Sequence, residues 1–412
     1  MIYKISANRE NYYNMKLFQI NITVNRGSTG RIAEEIGRLA IADGWESYIA
    51  YGREAGESES KLIHIGNMWD ERWHGVQTRL FDRHGLASKR ATRELVAKID
   101  KIHPDIIQLH NIHGYYLNYP ILFDYLSTFD GQVVWTLHDC WAFTGHCASF
   151  DGIGCVKWKT HCDHCPQKRV YPSSFLIDNS KSNFTLKKHY FNMVRNMTIV
   201  VVSNWLNAIV EQSFLSKYPI NVIFSGIDLN AFNNEGVHRV ESMTPIILGV
   251  ASVWNDKKGL SDFVKLSEHE DIQIVLIGVS EEQKRTLPYR IKAVCRTNNK
   301  KELANFYSSA TVFVNPTYED TFGLVNVEAL ACGTPVVTYN TGGGPESLTE
   351  ETGIVVPKGD VEGLYSAIKS IIGKSPAEKE EQRRLCVERA KEFDAKVRYE
   401  EYINLYEKLL SR

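Results

Sequence analysis

The sequence has no apolar run approaching the roughly 20 residues that cross a bilayer. Its longest aliphatic stretches, such as Met197 to Val202 and Ile246 to Val250, have the length of buried strands. It has almost no net charge, −1 from 48 Lys and Arg against 49 Asp and Glu, so no global field gathers nucleic acid and any phosphate recognition must come from local groups. The opening residues, Met1 to Asn14, lack the apolar centre of a secretory signal; the first strand-like run begins at Met15, which is an alternative start. A soluble, cytoplasmic chain is expected. There is no Walker loop, no G-x-G-x-x-G, no repeat of short period and no low-complexity segment. What is present is a chain of 412 residues, 43% hydrophobic and 24% charged, which is the composition of a folded protein with more than one core.

Short β-branched runs alternate with helical patterns, as in parallel sheets covered by helices on both faces. One set of strands is expected at Leu17 to Val24, Glu46 to Tyr51, Ile106 to Leu109 and Val133 to Leu137, with Ile199 to Val202 closing that half. Helices fit Arg31 to Asp43 and Ala91 to Ile102. A second set runs through Ile246 to Val250, Ile274 to Ile277, Val312 to Val314, Pro335 to Thr338 and Ile354 to Val356. The polar stretch Ile227 to Met243 reads as a linker and Ala377 to Leu410 as charged amphipathic helix. The implied domains are 15–225, with a cysteine-rich insertion at 140–171, then 226–395, then a helix at 396–412 expected to pack back on the first lobe.

Ligands of open α/β sheets sit beyond the carboxyl ends of strands, and four places there carry chemistry. Gly27-Ser28-Thr29-Gly30 opens a helix through small residues, which suits either a tight turn or close approach of an anion or a sugar. Two histidine clusters, His110 to Gly114 with His113, and His138-Asp139, follow buried strands and are suited to sugar hydroxyls or to charge near neutral pH. The run Val312 to Gly333 places Asp320 at a strand mouth and Glu328 inside the following helix, with Glu319 beside the first and Gly323 permitting close approach; paired carboxylates suit a polyol. Gly342-Gly343-Gly344-Pro345 forms a backbone nest fit for a diphosphate, and Lys257 and Lys258 either add positive charge or stand solvated in a surface turn.

Cys147, Cys155, Cys162 and Cys165, with Cys140, His146, His161 and His164 interleaved, include a Cys-x2-Cys spacing suited to zinc. A structural zinc site and a set of packed free thiols both fit; disulfides are disfavoured in a reducing compartment.

The run Asn315 to Gly323 joined to Val327 to Val337, then Thr341 to Glu346, resembles the family 4 retaining glycosyltransferases of the GT-B fold. Lys258-Gly259, His138-Asp139 and Ser225 to Asp228 add to the likeness, and the cysteine insertion resembles that of exopolysaccharide (colanic-acid type) transferases. The resemblance implies two Rossmann-like, doubly wound lobes facing a cleft, and transfer of a hexose from a nucleotide-diphosphate sugar to a glycan or lipid-linked saccharide in cell-surface polysaccharide synthesis. It implies donor ribose on Glu328, donor hexose on Asp320 with Glu319, Thr321, Phe322, Gly323 and Leu324, and diphosphate on Gly342 to Gly344 with Lys258. His138, aided by Asp139, would face the transferred sugar, with Gly27 to Gly30 across the cleft. No catalytic metal or other cofactor and no nucleic acid is implied; a lipid-linked acceptor implies peripheral contact with the inner membrane surface. The chain departs from the family in carrying Asp320 where Glu is usual and Val253 where a basic residue is usual. A sugar-nucleotide epimerase, a phosphorylase or a bilobed sugar-binding protein are the alternatives, separable by acceptor-free conversion, by phosphate consumption or by absence of turnover.

Overall fold

The computed structural model describes residues 14–234 and 244–411. The leader before Asn14, most of the expected linker (235–243) and residue 412 lie outside these. Two parallel sheets follow one another along the chain. The first is built from β1 (Lys16–Asn21), β2 (Glu46–Tyr51), β3 (Lys61–His64), β4 (Ile106–Leu109), β5 (Gln132–Leu137), β6 (Met197–Val201) and β7 (Ile220–Val222), in the order 3-2-1-4-5-6-7. The second comprises β8 (Ile246–Val250), β9 (Gln273–Ile277), β10 (Ile291–Val294), β11 (Val312–Asn315), β12 (Val336–Tyr339) and β13 (Gly353–Val356), in the order 10-9-8-11-12-13. Strand order reverses between β1 and β4 and again between β8 and β11, so each lobe has its switch point, and its ligand crevice, at the carboxyl ends of its central strands.

The central strands were the legible ones. Ile106–Leu109 and Met197–Val201 are buried on both faces, which demands near-continuous aliphatic runs. The strands not anticipated are edge or near-edge elements with little burial to mark them. Lys61–His64 is mostly exposed, Ile220–Val222 is three residues long, and Ile291–Val294 carries an exposed lysine. The first half therefore closes on β7, not on β6 as the aliphatic pattern suggested.

The charged tail is two helices, Pro376–Ala390 and Ala395–Leu410, parted by a short turn at Lys391–Phe393. Ser375 and Glu378 form a capping box that starts the first, with Pro376 in its first turn; Asp394 caps the second. Helix Ala395–Leu410 lies on the first lobe. Its Tyr399, Tyr402, Ile403, Tyr406 and Leu409 pack with Leu17, Ile32, Ile36, Val134 and Val200 in one core. The Tyr406 hydroxyl donates to Gln108 Oε1 at 2.8 Å, and Thr136 Oγ1 donates to the Tyr402 hydroxyl at 3.2 Å, so polar residues buried in β4 and β5 are satisfied from this helix. Two strands of chain cross between the lobes side by side, Ile227 N–H donating to Phe393 O and Ala395 N–H to Ile227 O, each at 2.9 Å.

Candidate active site

A cavity of about 230 Å³ lies between the lobes, at both switch points. Ser28 and Thr29 from the first turn of helix Gly27–Ala42 and His138 after β5 form one wall; Lys258, Asp320 and the Thr321–Val325 segment form the other. Four of the sequence motifs thus meet in one space. Asn315 and Ser225, the first residues of two runs that carry the resemblance, line it too, as do Val202 and Ser252, which no motif singled out.

On the second wall, Gly323 has φ +79° and lets the chain turn into helix Leu324–Ala331, whose amino end faces the cavity. Asp320 Oδ1 accepts from the Gly323 N–H at 3.1 Å, and its Oδ2 pairs with Lys258 Nζ at 3.1 Å. The loop also joins the lobes, Thr321 Oγ1 donating to the His138 carbonyl at 3.0 Å. One turn along the helix, Glu328 is half-buried and its Oε2 accepts from the Tyr307 hydroxyl at 2.9 Å. Burial lifts its carboxyl to about 7, against the opposing pull of Tyr307, Arg31 and Lys300.

Behind the first wall, buried hydrogen bonds fix the imidazoles. Gln19 Nε2 donates to Ala33 O at 2.7 Å, which turns Gln19 Oε1 toward His110 Nε2 at 3.1 Å. His110 must donate there, so its Nδ1 accepts from His138 Nε2 at 3.2 Å, and the neutral His138 ring keeps its lone pair on Nδ1. The two rings stack with centroids 5.5 Å apart. Burial holds His138 down to about 4 and keeps His110 well below the ordinary imidazole range. A glutamine in the middle of an apolar strand was the sequence signal for this relay. We expect no limb from His138 in the pH–rate profile above pH 5; a limb near pH 6–7 that vanishes in His138→Ala would contradict this arrangement.

Several expected contacts are placed elsewhere. His113 and Asp139 do not line the cavity; Asp139 Oδ2 accepts from His113 Nε2 at 2.8 Å, its Oδ1 accepts from the Trp141 N–H, and the Tyr171 hydroxyl donates to His113 Nδ1 at 3.0 Å. Burial opposes the charge on Asp139, but His113 and the Trp141 amide prevail and hold its carboxyl below the usual range. The adjacent lysines diverge. Lys258 lines the cavity, whereas Lys257 is bound to Glu319 Oε2 at 2.6 Å and to Gln167 of the cysteine insertion at 3.0 Å. Glu319 points the same way, its Oε1 facing Gly152, where a Cβ would come within 2.6 Å. Gly342, Gly343 and Gly344 support the cavity from beneath. A Cβ on Gly342 would collide with Asp320 O, one on Gly343 with Thr321 O, and Asn326 Nδ2 holds Gly344 O at 3.2 Å. At Gly342 and Gly343 the lack of a side chain serves close packing, a use that spacing alone cannot tell from an open nest, whereas a Cβ on Gly344 would meet nothing nearer than 3.7 Å.

Cys147, Cys155, Cys162 and Cys165 converge on one small cavity walled by Phe150 and Trp158. Among the described residues, no group of three or more His, Cys, Asp or Glu side chains is placed to hold a metal ion, and no disulfide joins these cysteines. Cys147 and Cys165 are hydrogen-bonded to each other. The insertion is anchored instead by a fully buried His146 Nδ1–Asp82 Oδ1 pair at 2.6 Å.

Residues 234–393 match the family model of glycosyl transferases group 1. The chain is 24% identical over 424 residues to a putative colanic acid biosynthesis glycosyl transferase, WcaC, of Escherichia coli K12, covering 96% of this chain and all of the relative. Among solved structures, sucrose-phosphate synthase from Thermosynechococcus elongatus superposes with a TM-score of 0.72 at 20% identity, covering 97% of this chain and all of that one. Anabaena Alr3699/HepE in complex with UDP and glucose superposes with a TM-score of 0.64 at 14% identity, covering 95% and 98%. No helix among the described residues is long and apolar enough to cross a membrane. The two parallel lobes, the crevice between their switch points and these likenesses make the chain a GT-B-fold protein whose residues 234–393 match the glycosyl transferases group 1 model.

Proposed function

We propose that this protein is a retaining glycosyltransferase that moves a hexose from a nucleotide-diphosphate sugar to a glycan or lipid-linked saccharide during cell-surface polysaccharide synthesis. The observation that carries the reading is the inter-lobe cavity at which Ser28, Thr29, His138, Lys258 and Asp320 meet the amino end of helix Leu324–Ala331. A helix amino end and a lysine facing one space favour an anion there, and the bonded lysine–aspartate pair supplies a cation that a diphosphate can take over.

In this reading the donor diphosphate lies between Lys258 and the Gly323–Val325 amides, its ribose reaches Glu328, and its hexose lies toward Asp320 and His138. Breaking the bond from the anomeric carbon to the phosphate oxygen leaves the sugar carbon electron-poor and the departing nucleoside diphosphate with one more negative charge. Lys258 and the helix amides oppose that charge as it grows. A non-bridging phosphate oxygen takes the proton of the acceptor hydroxyl as the new bond forms on the same face, so configuration is kept. His138 is uncharged at working pH, and its role is to orient the sugar as a hydrogen-bonding ring.

The test is a thermal-shift and hydrolysis screen against UDP-, GDP-, ADP- and dTDP-sugars. Stabilisation by one nucleotide series, with slow release of that nucleoside diphosphate, supports the reading. Turnover that consumes inorganic phosphate, or interconverts nucleotide sugars without an acceptor, would reassign the chain to a phosphorylase or an epimerase.

A further inference from the structure

The short turn Gly344–Ser347, which ends the glycine loop after β12, reaches across to the first lobe. Its Glu346 carboxylate sits on the amino end of helix Asn204–Val210, the helix that follows β6. Glu346 Oε2 accepts from the Asn204 N–H at 2.8 Å and from Asn204 Nδ2 at 3.0 Å, and its Oε1 accepts from the Trp205 N–H at 2.6 Å. The first amides of a helix have no partner within it, and a negative charge is favoured beside them. Ser203 Oγ takes the Leu206 N–H at 3.1 Å as an ordinary cap; the Asn204 and Trp205 amides are taken by a side chain from the other lobe. Thr321 and Lys257 also bridge the lobes, each with one bond across, where Glu346 makes three.

Behind the carboxylate, the turn is tied to the donor wall. Asn326 Nδ2 donates to Gly344 O at 3.2 Å and to Ser347 Oγ at 3.3 Å, and Asn315, which lines the cavity, donates from Nδ2 to Asn326 Oδ1 at 2.9 Å. Gly343 lies between the lobes. A Cβ there would come within 2.7 Å of Ser203 Cβ on one side and collide with Thr321 O on the other, while the Gly343 N–H donates to Asp320 O at 3.4 Å. Arg389 fixes the turn from outside, its Nη2 donating to Glu346 O at 2.7 Å and its Nε to Ser347 O at 3.2 Å. One line of contacts thus runs from a first-lobe helix, through Glu346 and the glycine loop, to Asp320, Thr321 and Asn315 at the cavity.

We infer that Glu346 is a positioning residue for sugar transfer: it seats the first lobe on the glycine loop, so that Asp320 and Thr321 take their working positions only while the lobes are shut. Glu346 does not line the cavity and acts through the residues that do. Its side of the junction is half-buried and Asn204 is exposed, so water can take over these bonds when the lobes part, as a latch requires and a buried weld would not allow. The effect on turnover rests on the transferase reading, whereas the seating of the lobes does not.

Glu346→Gln keeps the size and one acceptor but removes the charge and turns an amide NH2 toward N–H groups. Small-angle X-ray scattering of the ligand-free proteins should give the variant a larger radius of gyration than the wild type. With the nucleotide sugar that the wild type turns over, kcat should fall by about ten- to a hundred-fold, the size of effect that slight misplacement of reacting groups brings. Affinity for the corresponding nucleoside diphosphate should stay within a few fold, because that ligand is held by the second lobe. Glu346→Asp, which restores the charge, should recover part of the kcat and part of the compactness, a rescue that a role in folding stability alone would not produce. Unchanged scattering, or kcat within a few fold of the wild type, overturns the inference. So does a loss of nucleotide affinity equal to the loss of kcat, which would make Glu346 part of the donor site itself. If the wild type turns over no nucleotide sugar, the transferase reading fails, and the scattering comparison still decides the seating: a larger variant supports it and an equal one overturns it.

Discussion

Glu328→Gln is expected to make the ligand-free protein harder to melt at pH 8 and, at the same time, to remove its stabilisation by nucleoside diphosphate. The carboxyl titrates near 7 in the folded chain against 4.5 when free, because burial disfavours its charge. For a group raised in this way, the protonated form is the one folding favours; that contribution is complete below pH 4.5 and is lost as pH rises through about 7. At about 1.4 kcal/mol per tenfold step, the ionised carboxylate costs the folded state roughly 3 kcal/mol at pH 8. Glutamine keeps an acceptor for the Tyr307 hydroxyl and removes the charge, so the apo protein should gain a few degrees in Tm at pH 8 and nothing at pH 4. Hydrogen bonds from ribose hydroxyls to a carboxylate are worth about 1.5–3 kcal/mol, so nucleotide affinity should fall ten-fold or more. The opposite signs separate a binding carboxylate from a structural one. A variant that melts lower at pH 8, or that binds nucleotide as the wild type does, would remove Glu328 from the donor site.

Lys258→Ala should act on turnover and leave stability nearly untouched. The Lys258–Asp320 pair is part-exposed, and such pairs contribute under about 1 kcal/mol to folding. If the lysine faces the leaving diphosphate, its loss removes stabilisation that is greatest as the bond breaks, and kcat should fall by about 10² to 10³ with a smaller change in KM. Lys257→Ala is the internal control. Its ammonium faces Glu319 and Gln167 outside the cavity, and its removal should leave kcat within a few fold of normal. Equal kcat losses in the two variants would mean that the apo geometry misplaces the phosphate.

Adjacent lysines with different tasks mark where sequence stops being sufficient. Period and aliphatic runs identified the central strands of both sheets, since burial on two faces leaves no other composition open to them. They missed three of the four edge strands, where a strand such as Ile220–Val222 needs only three residues and a neighbour, and found only Gly353–Val356. In the site, the type of residue after each strand was readable, because ligand crevices form there. The direction of each side chain was not. Whether Lys257 or Lys258 meets the cleft is decided by the insertion that supplies Gln167, some 90 residues away, and whether Gly342 and Gly343 stay open or are packed shut is decided by Asp320 and Thr321. Helix Met68–Phe81 escaped notice for the reverse reason: its apolar residues face out, so a search for an inward stripe finds none.

Helix Ala395–Leu410 sets a schedule for synthesis. Its tyrosines supply partners to Gln108 and Thr136 and cover Leu17, Val134 and Val200, yet they leave the ribosome only after the whole second lobe has been made. Until then part of one face of the first sheet, beside helix Gly27–Ala42, is uncovered, with apolar side chains and the polar groups of Gln108 and Thr136 open to solvent or to other chains. The first lobe is thus made early and finished late, and a nascent chain stalled before residue 395 would expose that face to chaperones or to aggregation.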